Sequence, residues 1–159
     1  MSDVHNSVIR SKNMRAIQNK NTKPEILIRK ALHARGLRFR LHIKALPGNP
    51  DMVLPKYKTV IFINGCFWHG HHCHLCKTPK TRTGFWLAKI SDNVSRDILF
   101  HKKLMDAGWR VAVIWECALK GHCKQDLPSL VSTFIAWLAD SESLGIELTN
   151  VRGAEPHRC

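Results

Sequence analysis

The sequence predicts a single α/β domain built on a mixed central sheet flanked by helices, and three patterns predict it. A capped amphipathic helix starts near Thr22, and the apolar period switches to two from Leu37. Two buried β-branched runs, Thr59 to Ile63 and Trp109 to Trp115, then stand on either side of a long helical stretch. At 159 residues the chain can bury one core but not two with a linker.

Thr22-Lys-Pro-Glu25 has the form of a capping box: Thr22 caps, Pro24 suits the first turn and Glu25 reaches back. Leu27, Ile28, Ala31 and Leu32 supply the apolar stripe, and Gly36 a left-handed stop. Leu37, Phe39, Leu41 and Ile43 alternate with Arg38, Arg40, His42 and Lys44, which predicts a half-exposed strand. The Pro47-Gly48-Asn49-Pro50 turn leads into a short strand, Asp51 to Leu54, and after a break at Pro55 to Lys58 the buried strand follows. Asn64 to Thr83 has no sustained period and reads as a loop. Thr83 is expected to cap a long helix whose buried face is Leu87, Ile90, Val94, Ile98, Leu104 and Met105, ending at Gly108. A last helix is expected from Asp126 or Pro128 to Leu138, with a weakly ordered tail over 139–159.

Charge bounds the function. The net charge is +13, and seven basic residues lie between Arg10 and Lys30. A basic surface of this size favours a polyanion, because neutralising phosphates releases condensed counterions. Residues 1–21 read as a basic arm with nothing to bury, expected to order on DNA, and 22–138 as the folded domain. No apolar run approaches the roughly 20 residues of a membrane span, and no apolar leader opens the chain, so a cytoplasmic protein is expected. With no export signal, the six cysteines point away from a disulfide framework.

Their placement points to metal. Cys66, His69, His71, His72, Cys73, His74 and Cys76 fall within eleven positions. Thiolate and imidazole are the usual tetrahedral zinc set, and a distant ligand normally closes such a site. Cys117, after the buried strand, suits that place; Cys76 and Cys123 compete for it. A zinc held by four protein ligands has no open position and orders the loop rather than performing chemistry.

A carboxylate and an imidazole stand at the ends of two neighbouring strands. Asp51 opens one and His69 follows the other; together they fit phosphodiester hydrolysis, which needs a divalent ion and a base for water. Glu25 can reach the same ion through water. The alternative is that Asp51 caps a turn and His69 is a further zinc candidate.

Several stretches resemble the very-short-patch repair endonucleases: Arg10-Ser-Lys-Asn-Met-Arg-Ala-Ile17, Leu46-Pro-Gly-Asn-Pro-Asp51, Gly65-Cys-Phe-Trp-His69, Arg82-Thr-Gly-Phe-Trp86 and Gly108-Trp-Arg-Val-Ala-Val-Ile-Trp-Glu-Cys117. The resemblance runs from about Ser2 to Leu138. It implies a restriction-endonuclease-like core and a magnesium-dependent nick in the thymine strand of a T:G mismatch, the lesion left when 5-methylcytosine deaminates. It implies Asp51 and the Ile63 carbonyl as magnesium ligands, His69 as general base and Glu25 as a water-mediated partner of the ion. The zinc ligands it implies are Cys66, His71, Cys73 and Cys117. One departure lies near the chemistry: the family's best-known members carry Thr-His where this chain has Ile63-Asn64. Asn64 cannot titrate near neutral pH, so it offers only hydrogen bonds, and a lower rate is expected.

Phe67, Trp68 and Trp86 alone would read as core packing, and Lys89 with Asn93 as one solvated helix face. The resemblance implies that the three aromatics intercalate from the major groove, that Met14 does so from the minor groove, and that Lys89 and Asn93 contact the mismatched bases. It suggests a monomer acting on double-stranded DNA, near the nucleoid, with a mismatch-repair protein as partner. Two other functions fit the same residues: a zinc-stabilised DNA-binding module without activity, and a nuclease cutting both strands of matched DNA.

Overall fold

In a computed structural model, which describes residues 20–151, helix α1 (Lys23–Ala34) leads into strands β1 (Arg40–Leu41), β2 (Met52–Leu54) and β3 (Thr59–Asn64). The long helix α2 (Thr83–Asp106), strand β4 (Arg110–Trp115), a short α3 (Glu116–Leu119), helix α4 (Leu127–Ala139) and strand β5 (Gly145–Leu148) follow. The strands form one sheet in chain order. The β1–β2 and β2–β3 pairs are antiparallel, while β3–β4 and β4–β5 are parallel, so the sheet is mixed as expected. Parallel pairing needs a crossover, and α2 and α4 supply the two crossovers.

Both sheet faces are covered, which is why β3 and β4 read as continuous apolar runs. Met52, Leu54, Ile61, Ala112 and Ile114 meet Ile28 and Leu32 of α1 and Leu130 and Phe134 of α4 in one core. The alternate residues Val53, Val60, Phe62, Val111, Val113 and Trp115 form a second core with Leu104 and the cysteines 66, 73 and 117. The zinc-candidate loop therefore packs on the sheet's second face as part of its core.

The first helix begins as its sequence predicts. Thr22 Oγ1 accepts from the Glu25 N–H at 3.4 Å, but the Glu25 carboxylate takes the Asn21 N–H, one residue before the cap. Gly36 has φ +83°, the left-handed stop expected of it.

Four expectations are corrected. The strand expected over Leu37 to Lys44 shrinks to Arg40–Leu41, because His42 turns left-handed (φ 49°) and takes the chain out of the ladder. Thr83 does not cap α2: Arg82 precedes the helix in a left-handed conformation, and the Thr83 hydroxyl donates to the Pro79 carbonyl at 2.8 Å. The buried face expected on α2 is largely solvated, with Leu87, Ile98 and Met105 exposed and Leu104 alone buried. Its stripe is divided: Leu104 packs on the sheet, while the first half faces the loop before it, where a Cβ on Gly70 would meet Ile90 Cγ2 at 2.9 Å and Val94 Cγ2 at 3.1 Å.

The fourth concerns the tail. Residues 145–148, within the stretch expected to be weakly ordered, form β5 on the edge of β4. Arg110 organises this region. Its guanidinium donates to the carbonyls of Trp137, Leu138, Asp140 and Ser143 at 2.7 to 3.0 Å and lies 4.1 Å from the Trp137 ring. Carbonyls at the α4 C-terminus are thus met by a cation, which the helix dipole also favours, and that of Trp137 accepts the Asp140 N–H as well. Met14 and the rest of the basic arm to Asn19 lie outside the described residues.

Candidate active site and metal centre

The β2–β3 hairpin places Asp51 one residue before Met52, which pairs with Ile61, so the Asp51 carboxylate meets the far end of β3. Its Oδ2 accepts the Ile63 N–H at 2.7 Å. Burial lifts the Asp51 carboxyl from its ordinary 3.8 to about 6; the Ile63 bond opposes the rise and the Glu25 charge adds to it. Glu25 is itself buried and held on several sides. Its Oε2 accepts from Arg29 at 2.8 Å and from the Asn21 N–H at 3.1 Å, with His42 Nε2 3.6 Å away. Two carboxylates forced together out of water are a site that gains from a cation.

His69 stands beyond Gly65, where the chain leaves β3 and winds under α2. Its Nδ1 lies 2.5 Å from Oδ2 of Asp97, both side chains being about a quarter exposed. A carboxylate on Nδ1 fixes the proton there and turns Nε2 outward as an acceptor. Asp97 was not expected from the sequence. The signal existed, since Lys89, Asn93 and Asp97 recur every four residues along α2 and share one face, but a solvated stripe reads the same way.

A cleft of about 680 Å³ joins these groups, lined by Glu25, Asp51, Ile63, Asn64, His69 and Asp97 among others, with Lys89 and Trp68 at its border. Asn64 ends β3 opposite Trp115 and is buried. Asn93 does not hold a free amide: its Nδ2 donates to the Trp68 carbonyl at 2.8 Å and its Oδ1 accepts from Arg96 at 2.6 Å. It thereby ties α2 to the aromatic loop. Phe67, Trp68 and Trp86 form a half-buried cluster with ring centroids 5.0 to 5.8 Å apart at steep angles, the edge-to-face kind of arrangement that aromatic pairs prefer. Neither core packing nor free exposure describes them.

Cys66, His71, Cys73 and Cys117 converge beside this cleft. Their ligand atoms all lie within 4.8 Å of one another and all four residues are buried, so the cluster could hold a metal ion. Cys117 is carried there by α3, directly after β4. The Cys117 N–H donates to Cys66 Sγ at 3.4 Å, and His71 Nδ1 lies 3.5 Å from Cys117 Sγ. Its thiol is pushed down, to about 4, chiefly by Cys66 donating to it and then by His71, while the same pairing pushes Cys66 up. The His71 ring stacks on Trp115, centroids 4.3 Å apart and planes 14° apart, so its orientation is set by the second core. Cys76 and His69 stand outside this group of four.

Comparison with known proteins gives a consistent result. Residues 2–75 match the family described as DNA mismatch endonuclease Vsr. The chain is 48% identical over 138 residues to the DNA mismatch endonuclease Vsr of Escherichia coli K12, covering 87% of this chain and 88% of that protein. It is 47% identical to the type II nicking enzyme V.NmeAIP of Neisseria meningitidis, covering 82% of this chain and 95% of that one. With the type II nicking enzyme V.XorIIP of Xanthomonas oryzae it shares 49% identity over 67% of this chain and 78% of that protein.

Proposed function

Because the chain belongs to the Vsr family of DNA mismatch endonucleases, we propose that it nicks the thymine-containing strand of a T:G mismatch, 5′ to the thymine, and so starts very-short-patch repair where 5-methylcytosine has deaminated. The observation that carries this reading is the single cleft in which Asp51, Glu25 and the His69–Asp97 pair meet. Its core is of the restriction-endonuclease-like kind, with Asp51 at the end of an antiparallel hairpin and Glu25 beside it on α1.

The donor set fits a hard divalent ion such as magnesium: Asp51 and the Ile63 carbonyl would hold it, and Glu25 would reach it through water. Such an ion supplies positive charge for the phosphate and acidity for bound water. The chain's own residues do the rest. His69, held through Nδ1 by Asp97, takes a proton from water at Nε2, and the carboxylate steadies the imidazolium that forms. Asn64 stands where a hydrogen bond to phosphate or water is available, without titrating. Arg29 fixes the Glu25 carboxylate in place.

The four ligands of the second centre fit zinc, since three thiolates and one imidazole close a tetrahedron and leave no position for water. Such an ion would be structural and would order the loop bearing Phe67, Trp68 and His69. The aromatic cluster then serves as a wedge, entering the stack from the major groove where a T:G wobble opens more cheaply than a matched pair. Lys89 reads the mismatched bases, and Asn93, besides anchoring Trp68, is its neighbour on the same face. Met14 on the basic arm is the minor-groove counterpart. No helix among the described residues is long and apolar enough to cross a membrane, and we place the protein with DNA in the cytoplasm, acting as a monomer with a mismatch-repair protein as partner.

The deciding experiment compares one duplex carrying T:G or C:G at a single position, with magnesium present. A nick in the T strand of the first alone, abolished in Asp51→Ala, is the expected outcome. Binding without cleavage would leave a zinc-stabilised DNA-binding module, and cutting of both strands of C:G DNA would make it a restriction-type nuclease.

A further inference from the structure

His42 belongs to no role assigned above, yet its ring lies beside both carboxylates. The alternating pattern puts it on the outer face of a strand. The chain instead breaks at this residue into the left-handed region, φ 49°, a conformation a non-glycine residue adopts at some cost. The backbone there is held by the His42 N–H, which lies 3.4 Å from the Asp51 carbonyl. The side chain turns inward, so that ligand atoms of Glu25, His42 and Asp51 all lie within 4.8 Å of one another.

The ring nitrogen facing that group is Nε2. It lies 3.0 Å from Arg29 Nη2, which also donates to Glu25 Oε2 at 2.8 Å. A guanidinium only donates, so Nε2 meets it with its lone pair and the ring proton sits on Nδ1. This is the form in which imidazole ligates a metal. One cationic nitrogen already shares the Glu25 oxygen and the His42 lone pair, and the carboxylate of Asp51 completes the set on the third side.

We propose that His42 is a direct nitrogen ligand of the divalent ion in the nicking site, and that it gives this site a preference for manganese over magnesium. This rests on the reading of Asp51 and Glu25 as the cation site. On ligation, the ion takes the Nε2 lone pair from Arg29, which keeps its bonds to Asn21 Oδ1 and to Glu25. Magnesium demands oxygen ligands and gains little from imidazole, whereas manganese accepts nitrogen readily and stands above it in affinity for mixed nitrogen and oxygen sites.

The test is manganese binding to the zinc-loaded full chain, followed by electron paramagnetic resonance of free and bound ion, with magnesium as competitor. His42→Asn is the variant of choice, because Asn adopts the left-handed conformation at little cost. Expected are a loss of manganese affinity of about tenfold or more and a change in magnesium affinity below about threefold. Pulsed spectra of the bound manganese should show a directly coordinated nitrogen in the wild type and in His69→Ala, and none in His42→Asn. Unchanged manganese affinity, or an unchanged nitrogen signal, in His42→Asn overturns the proposal while the carboxylate site stands, provided Asp51→Asn abolishes binding. Manganese binding that survives Asp51→Asn overturns the carboxylate site and the proposal together.

Discussion

Replacing Asp51 by Asn separates what the site costs the fold from what it does for the reaction. The carboxyl is raised from 3.8 to about 6, burial being the main cause. A raised carboxylate binds its proton more tightly in the folded chain than in the unfolded one. Its contribution to stability is therefore full below pH 3.8 and is lost as pH rises through about 6. At neutral pH the ionised group costs the folded state about 3 kcal/mol, taking about 1.4 kcal/mol for each pH unit. Asn keeps an oxygen for the Ile63 N–H and cannot ionise. Asp51→Asn should thus be more stable than wild type by about 1.5 kcal/mol at pH 5 and by about 3 kcal/mol at pH 7.5. Urea denaturation of the zinc-loaded proteins without magnesium measures the gap. Adding magnesium should narrow it by stabilising the wild type alone, and nicking should vanish in the variant at every pH. A gap that does not grow with pH, or a variant less stable throughout, would refute the argument that burial holds this carboxyl near neutrality.

Three further outcomes follow from the geometry. Asp97→Asn removes the charge that holds His69 Nδ1, so nicking should slow by about 100-fold or more while affinity for a T:G duplex, read by gel shift, stays within a few-fold; an unchanged rate would detach Asp97 from the chemistry. Cys117→Ser takes one ligand from the buried group of four, and metal analysis should show zinc lost from the purified protein together with about 4 kcal/mol or more of stability; full zinc occupancy in the variant would move the fourth ligand elsewhere. Asn64→His places a titratable ring at the end of β3, and single-turnover nicking should rise by about tenfold or more with a new inflection in its pH profile; an identical rate and profile would show that position 64 does not limit the reaction.

The order of elements and their class were legible in the sequence because local physics decides them. A capping residue, a stripe at helical spacing and a β-branched run act within a few residues of themselves. Gly36 and the α1 start are read this way, and so are β3, β4 and the start of α4 near Asp126 or Pro128, where the structure has the Asp126 carboxylate accept the Ser129 N–H. The four residues of the metal cluster include three that crowd into one loop, which betrays them without a fold.

What the tertiary structure alone decided are partnerships between distant segments. An amphipathic stripe on α2 says that something covers it, but not that the glycine-bearing loop at Gly70 covers Ile90 and Val94 while the sheet takes Leu104. An edge of β4 invites a strand, but only Arg110, bonding carbonyls some thirty residues on, shows that Gly145–Leu148 is held to take it. His42 belongs to an alternating run until the chain breaks at it, and Asp97 is one charge in a solvated helix until His69 arrives 28 residues away. Side-chain spacing along the chain carries a period and therefore a face. The choice of which faces meet is made by packing the whole domain, and the candidate nicking site is assembled at one such meeting.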